Sequence, residues 1–158
     1  MLETPADSAP NPGTEATVHK GGRRLPVWAW LTLWMMAWVG IPVVVHYAVH
    51  GVLNGWHVAI TFFLAINLRI CWWEISLGAR IGDIERWHHD PDGTRERPRG
   101  SVFLARATLR DLASTRLWAR VWSEYSYYDA SYADRRSFGF MADVGNGWST
   151  LLPGLFLL

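Results

Sequence analysis

The sequence predicts an all-α membrane protein whose spanning helices pack as a bundle. Two observations lead to this fold class. The apolar residues occur in long uninterrupted runs, and most charged residues lie outside those runs, in an N-terminal tail and a central block. The mean hydropathy of +0.03 hides this segregation, because it averages the apolar runs with the polar segments. Clustering over such lengths indicates membrane spans.

The chain begins with a polar segment, residues 1–24, that is rich in Pro, Gly, Ser and Thr and poor in large apolar side chains. Such a composition predicts a disordered tail, since little apolar surface is available for burial. A secretory signal is not indicated, because the tail is polar throughout and the apolar run that follows is too long.

Two apolar runs follow the tail. The first, about residues 25–46, contains no Asp, Glu, Lys or Arg, and the second, about residues 56–78, carries only Arg69 and Glu74. A helix of about 20 residues crosses the hydrocarbon core of a bilayer. We therefore expect both runs to span as helices.

A third run, about residues 138–158, is equally long but contains Asp143, Asn146 and Pro153. It also has four glycines, which allow another helix to approach closely, including one from a second copy of the chain. We expect it to be a third span. The run ends on apolar residues without a polar flank, so we also expect further helices to follow it in a longer protein.

The positive charges predict the orientation in the cell membrane. Lys20, Arg23 and Arg24 precede the first run, the link at residues 46–57 has no Lys or Arg, and residues 79–137 hold 11 arginines. The positive-inside rule places the N-terminus and the central block in the cytoplasm. Nine acidic residues nearly balance those arginines, which argues against a nucleic-acid partner.

The central block predicts three local structures. Residues 79–87 continue the second helix, and residues 88–100 contain Asp-Pro and Asp-Gly, which favour a turn and loop. Residues 101–122 lack Pro and Gly and are rich in Ala, Leu and Arg, which predicts a helix with Ser101 as its cap.

Polar residues in the second and third runs recur at spacings of three and four, which places each set on one face of its helix. The two sets are Asn67, Cys71 and Glu74, and Asp143, Asn146 and Thr150. Ionisable groups inside a span are costly and mark functional sites. We therefore expect a pocket between these helices with one carboxylate on each wall.

A structural alternative uses the remaining charge of the second run. Arg69 lies on a different face from Glu74 and could form an ion pair with Asp143. The role of such a pair would be to hold two helices together, without binding or catalysis. His46, His50 and His57 have spacing suited to a metal but lack a carboxylate or thiolate to complete the set, so no metal site is predicted. Phosphate-loop and nucleophile-elbow motifs are absent, and no cofactor is expected.

The stretch WSEYSYYDASY, residues 122–132, carries aromatic and acidic residues in a specific order: Trp122, Glu124, Tyr125, Asp129 and Tyr132. Their identity and spacing resemble the EXPERA family of four-helix membrane proteins, which includes sterol Δ8-Δ7 isomerases of the emopamil-binding type and the sigma-2 receptor. Continuing without a gap, Phe138 falls on a family phenylalanine and Asp143 on a family glutamate. The resemblance covers about residues 122–158.

The resemblance implies a pocket that binds a sterol-like or isoprenoid lipid and can shift its double bond. Glu124 would be the acid/base residue, with Glu74 or Asp143 as its partner. A carboxylic acid buried in an apolar site keeps its proton at neutral pH, and aromatic faces stabilise a cation. The ligand-binding residues would be Asp129, Tyr125, Tyr132, Trp122, Asn67 and Asn146.

Two readings without catalysis stay open. The family's receptor members only bind their ligands, and the isomerase histidine four residues before the acid of the second helix is replaced by Ile70 here. The chain could therefore bind or transport lipid or cations without reaction. It could also be a structural membrane subunit whose polar groups only join helices.

Overall fold

The computed structural model describes residues 23–89 and 102–158, and these residues are mainly helical. The predicted tail up to residue 22 and the predicted loop from residue 90 onward lie outside the described residues. The helices are α1 (Val27–His50), α2 (Gly55–His88), α3 (Leu109–Leu112), α4 (Thr115–Tyr125) and α5 (Phe138–Leu157). Single 3-10 turns lie at Val102–Leu104 and Ala130–Ala133, and β1 (Leu25–Pro26) pairs antiparallel with β2 (Arg106–Ala107). The all-α expectation is confirmed.

Local capping sets the ends of the long helices. Gly51 ends α1 with a φ of 70°, a left-handed conformation that glycine adopts at little cost. The Asn54 side chain then accepts a hydrogen bond from the backbone N–H of Trp56 at 2.9 Å and starts α2. Ser137 starts α5 in the same way, because its hydroxyl accepts from the backbone N–H of Phe140 at 3.1 Å.

The helices α1 and α2 have 24 and 34 residues and are long and apolar enough to cross a membrane. Large apolar side chains on both helices face outward: Ile41, Val49 and Phe63 are 64%, 70% and 66% exposed. Contiguous apolar surface of this kind needs a lipid or protein partner.

The predicted extension of the second helix past residue 78 is confirmed. α2 runs on to His88, although Arg80 has non-helical angles of φ −126° and ψ 17° that interrupt the regular geometry. Its guanidinium Nε donates a hydrogen bond to the Thr115 hydroxyl at 2.9 Å, which ties α2 to the start of α4 at this level.

The single helix predicted from Ser101 to Trp122 is wrong. The segment forms a 3-10 turn, β2, the one-turn helix α3 and then α4, while Ser101 lies outside the described residues. The side chains of Thr108 and Asp111 cap α3 reciprocally, and the Ser114 hydroxyl accepts from the N–H of Arg116 at 3.2 Å to start α4. Composition alone favoured one continuous helix. Short polar side chains at these positions instead start separate helices.

The helix α2 lies at the centre of the fold, with α1, α4 and α5 packed around it. Two buried clusters hold it there. One joins Val27, Val102 and Trp118, and the other joins Leu77, Ala119 and Phe140. The buried core therefore lies where α4 and the N-terminal part of α5 pack on α2.

Candidate functional site

The polar faces predicted on the second and third runs meet at the contact between α2 and α5. The Asn146 amide nitrogen donates to both carboxylate oxygens of Glu74, at 2.9 and 2.8 Å. One helical turn further along, the Cys71 thiol and the Thr150 hydroxyl are 2.9 Å apart, and the Asn67 amide donates to the Cys71 sulfur at 3.8 Å. The two helices are thus joined by a line of side-chain hydrogen bonds.

Gly147 makes this close approach possible. A Cβ atom at this position would lie 2.8 Å from the Cβ of Glu74 and 3.0 Å from the carbonyl oxygen of Cys71. Only glycine fits without moving one of the helices. The structure therefore places a packed interface where we expected an open pocket between two walls.

Asp143 extends this polar line towards the start of α5. Its charge acts on the nearby Glu74 carboxylate, and its hydrogen-bonding neighbour is the phenol of Tyr132. Glu74 is buried, Asp143 is half-buried and Asn146 is exposed. We call Glu74, Asp143, Asn146 and Tyr132 the acidic site, which is buried at Glu74 and opens to the surface at Asn146.

Aromatic rings adjoin the acidic site. The ring centroid of Trp122 lies 4.9 Å from that of Tyr132 and 5.9 Å from that of Tyr125. The Trp122 indole N–H donates to the backbone carbonyl of Trp73 at 2.7 Å, which fixes the ring against α2. Tyr125 is 56% exposed, so this group of rings also reaches the surface.

A short turn sets Tyr132 in place. The Asp129 carboxylate accepts the backbone N–H of Ser131 at 2.9 Å, and this bond holds the pKa of Asp129 below its usual range. Burial, together with the charge of Asp143, raises the pKa of the Tyr132 phenol. The phenol therefore keeps its proton at neutral pH and can donate it in a hydrogen bond.

Glu124 is not part of this group. Two residues along a helix turn by about 200°, so Glu124 lies on nearly the opposite side of α4 from Trp122. Its charged neighbour is Arg120, and burial raises the pKa of the Glu124 carboxyl. One of its oxygens is enclosed without a hydrogen-bond partner among the described residues. The resemblance predicted that Glu124 pairs with Glu74 or Asp143. In the structure the charged neighbour of Glu74 is Asp143, and that of Glu124 is Arg120.

Arg69 also does not form the ion pair with Asp143 that the structural alternative predicted. Its guanidinium carbon lies 3.8 Å from the centroid of the Trp118 ring, and no ion pair joins it to Asp143 in the described part of the chain. The residue borders an apolar cavity of about 470 Å³ whose walls include Trp34 and Trp72. This cavity was not predicted from sequence, although indoles at helical spacing near a lone cation of an apolar run were a usable signal.

The described part of the chain shows no metal-binding group. Across residues 23–89 and 102–158 no group of three His, Cys, Asp or Glu side chains could hold a metal ion. The rings of His46 and His57 stack with centroids 4.0 Å apart at the ends of α1 and α2.

Comparison with protein-family models, curated proteins and solved structures gives no match to the chain.

Proposed function

We propose that this chain is an EXPERA-like membrane protein that binds a sterol-like or isoprenoid lipid at the acidic site. The observation that carries the proposal is the acidic site itself. Two carboxyl groups, an amide and a phenol lie together beside aromatic rings, at a point where the group reaches the surface of an apolar helix bundle.

Several features support the membrane location. Among the described helices, α1 and α2 have the length and composition of spans. The 20-residue α5, which we expected to be a third span, packs against α2 but is not apolar enough to be counted with them. Exposed apolar side chains along these helices suit lipid contact. The excess of arginine near the tail and in the central block supports a cytoplasmic N-terminus in the cell membrane.

The site's chemistry suits an amphiphile with a compact polar head. Asp143 and the side-chain carbonyl oxygen of Asn146 can accept hydrogen bonds from a hydroxyl or amine, since neither residue is fully covered. Polar groups at the surface of a membrane helix are costly until a partner satisfies them. The rings of Trp122 and Tyr125 provide flat apolar faces for a polycyclic or isoprenoid body.

Lipid extraction followed by mass spectrometry tests binding. The chain, the Asp143→Asn variant and the control Ser149→Ala are purified from the same membranes, because Ser149 is an exposed residue of α5 outside the acidic site. A polycyclic or isoprenoid lipid should be enriched with the parent chain and the control but not with Asp143→Asn. Equal enrichment in all three, or none in the parent chain, contradicts the proposal.

Double-bond isomerisation is a second candidate, favoured by two carboxyl groups near enough for the charge of Asp143 to act on Glu74. With a proton on one carboxyl group and none on the other, Asp143 and Glu74 supply an acid and a base at one site. The acid protonates one alkene carbon, which leaves a cation on the other alkene carbon. The base then removes a proton from the next carbon beyond the cation, so the double bond moves by one position, one proton is gained and one lost, and no oxidant is needed. The aromatic rings beside the site stabilise the intermediate cation. In this proposal Asp143 has the role that the resemblance implied for Glu124.

Incubation of a Δ8-unsaturated sterol with the purified chain in D₂O tests the reaction. We expect a Δ7 product that carries deuterium at the protonated carbon, and none from Asp143→Asn or Glu74→Gln. Glu124→Gln is the discriminating control, because it should keep activity if the acid/base pair is Glu74 and Asp143. Loss of product with Glu124→Gln alone, or no product from the parent chain, contradicts this mechanism without affecting the binding result.

A further inference from the structure

The cavity beside Arg69 has the composition of a lipid-tail site with a single cationic anchor. It lies between α1, α2, α3 and α5, away from the acidic site, and has a volume of about 470 Å³. Ligand pockets span about 300–1,000 Å³. Its walls are Trp, Leu and Ala side chains, among them Trp34, Trp72 and Leu151, and Arg69 is the charged residue that lines it.

Arg69 has no counterion among the residues that the structure describes. The Trp118 ring covers one face of the guanidinium at 3.8 Å, and the rings of Trp34 and Trp73 lie 5.9 Å away. These rings stabilise the cation only partly, since their faces cannot accept hydrogen bonds from every N–H in its plane. Nε and one terminal nitrogen, Nη2, are enclosed and have no hydrogen-bond partner among the described residues. An arginine stays charged at any ordinary pH, and its hydrogen bonds to an anion are the stronger ones, so an anionic acceptor suits it best.

The two unpartnered nitrogens indicate which anion fits. Nε and Nη2 form one edge of the guanidinium, and their parallel N–H groups match the two oxygens of a carboxylate. The same edge of Arg135 holds both oxygens of Glu85 in this protein, with the Nε–Oε1 distance at 3.0 Å and the Nη2–Oε2 distance at 2.6 Å. Arg69 is a lining residue of the cavity, so a carboxylate bound to it would lie at the cavity wall.

We propose that this cavity is a second ligand site, which binds a long-chain fatty acid with its carboxylate on Arg69 and its alkyl chain along the Trp and Leu walls. The described lining residues carry no second charge for a larger headgroup, and the volume suits one chain better than two. This inference does not rest on the proposed function, because it uses no residue of the acidic site.

Fluorescence of cis-parinaric acid tests the proposal on the whole chain in detergent or nanodiscs. Binding beside the indoles should quench tryptophan emission and increase probe emission. Palmitate should displace the probe, while hexadecanol, which has the same chain without the charge, and acetate, which has the charge without the chain, should compete poorly. Displacement by hexadecanol as strong as by palmitate overturns the carboxylate anchor, and displacement by acetate overturns the lipid assignment.

Substitution of the anchor completes the test. We expect Arg69→Gln to weaken binding about 10–100-fold, the effect of losing hydrogen bonds to a charged group. The matched control is Arg136→Gln, since this arginine is 92% exposed and does not line the cavity. Leu151→Trp, which keeps Arg69 but fills the cavity, should also abolish binding. Parent-like affinity in either Arg69→Gln or Leu151→Trp overturns the proposal, even if the other variant fails to fold.

Discussion

Replacement of Gly147 by alanine tests the contact that holds Glu74 against α5. The added Cβ would lie 2.8 Å from the Cβ of Glu74, 3.0 Å from the carbonyl oxygen of Cys71 and 3.1 Å from the backbone nitrogen of Ile75. Carbon atoms in contact normally lie about 3.5–4.0 Å apart, so α5 must move away by about 0.7 Å or more. Two of the three neighbouring atoms belong to the backbone, which cannot rotate away as a side chain can.

The size of the effect follows from two opposing terms. Overpacking a tight contact costs about 1–3 kcal/mol, and the rigid neighbours favour the upper end of this range. Alanine in a helix gains about 1 kcal/mol over glycine. The net loss is about 2 kcal/mol in the free energy of unfolding. For a chain of this size, that corresponds to a fall in Tm of about 4–8 °C.

Cys71 provides the assay, because it is the single cysteine of the sequence and is fully buried at this contact. A thiol-reactive fluorophore should label it only as the α2–α5 interface opens on heating. Gly145→Ala is the matched control, since no atom lies within 4 Å of a Cβ built there. We expect labelling at lower temperature for Gly147→Ala and no loss for Gly145→Ala. Equal labelling temperatures for Gly147→Ala and the parent chain would refute the packing argument.

Three further predictions are checked by thermal unfolding followed by circular dichroism, which, unlike thiol labelling, also works at acid pH. Asn146→Leu should destabilise the chain by about 1–3 kcal/mol, because the buried Glu74 carboxylate loses both hydrogen bonds; a neutral effect would contradict this contact. Burial raises the pKa of Glu124 above its ordinary 4.5, so its charged form opposes folding as pH rises, and Glu124→Gln should stabilise at pH 7.5 but not below pH 4; a pH-independent difference would contradict it. Arg135 lowers the pKa of Glu85, so this pair stabilises at neutral pH and the contribution is lost as pH falls; Arg135→Ala should cost at most about 1 kcal/mol, because both side chains are partly exposed, and a larger loss would contradict this.

Periodicity predicted the faces of the helices well. Hydrophobic length is a local property of the sequence, so it predicted α1 and α2 directly. The spacing of three and four residues also placed Asp143, Asn146 and Thr150 on one face, and that face meets Glu74 in the structure. Sequence could not predict that the meeting is a direct contact, because the separation of two helices depends on what Gly147 faces.

The breaks and partners were decided by tertiary structure. Short capping side chains compete with helix propensity. Whether Thr108 and Ser114 start new helices depends on the strand and helix that pack beside them. The partner of Arg69 depends on where α4 lies, and α4 brings Trp118 over the guanidinium in place of a carboxylate. The residue pattern along one helix does not determine how a second helix is rotated against it.

The sequence by itself determined that long apolar helices carry acidic and amide groups on particular faces, and that an aromatic segment precedes the last helix. Only the tertiary structure decided which groups share a site. It brings Asp143, Glu74 and Tyr132 together and leaves Glu124 on the far side of α4. The physical reason is that helical periodicity is set by the backbone, whereas the rotation and register of packed helices are set by side-chain contacts distant in sequence.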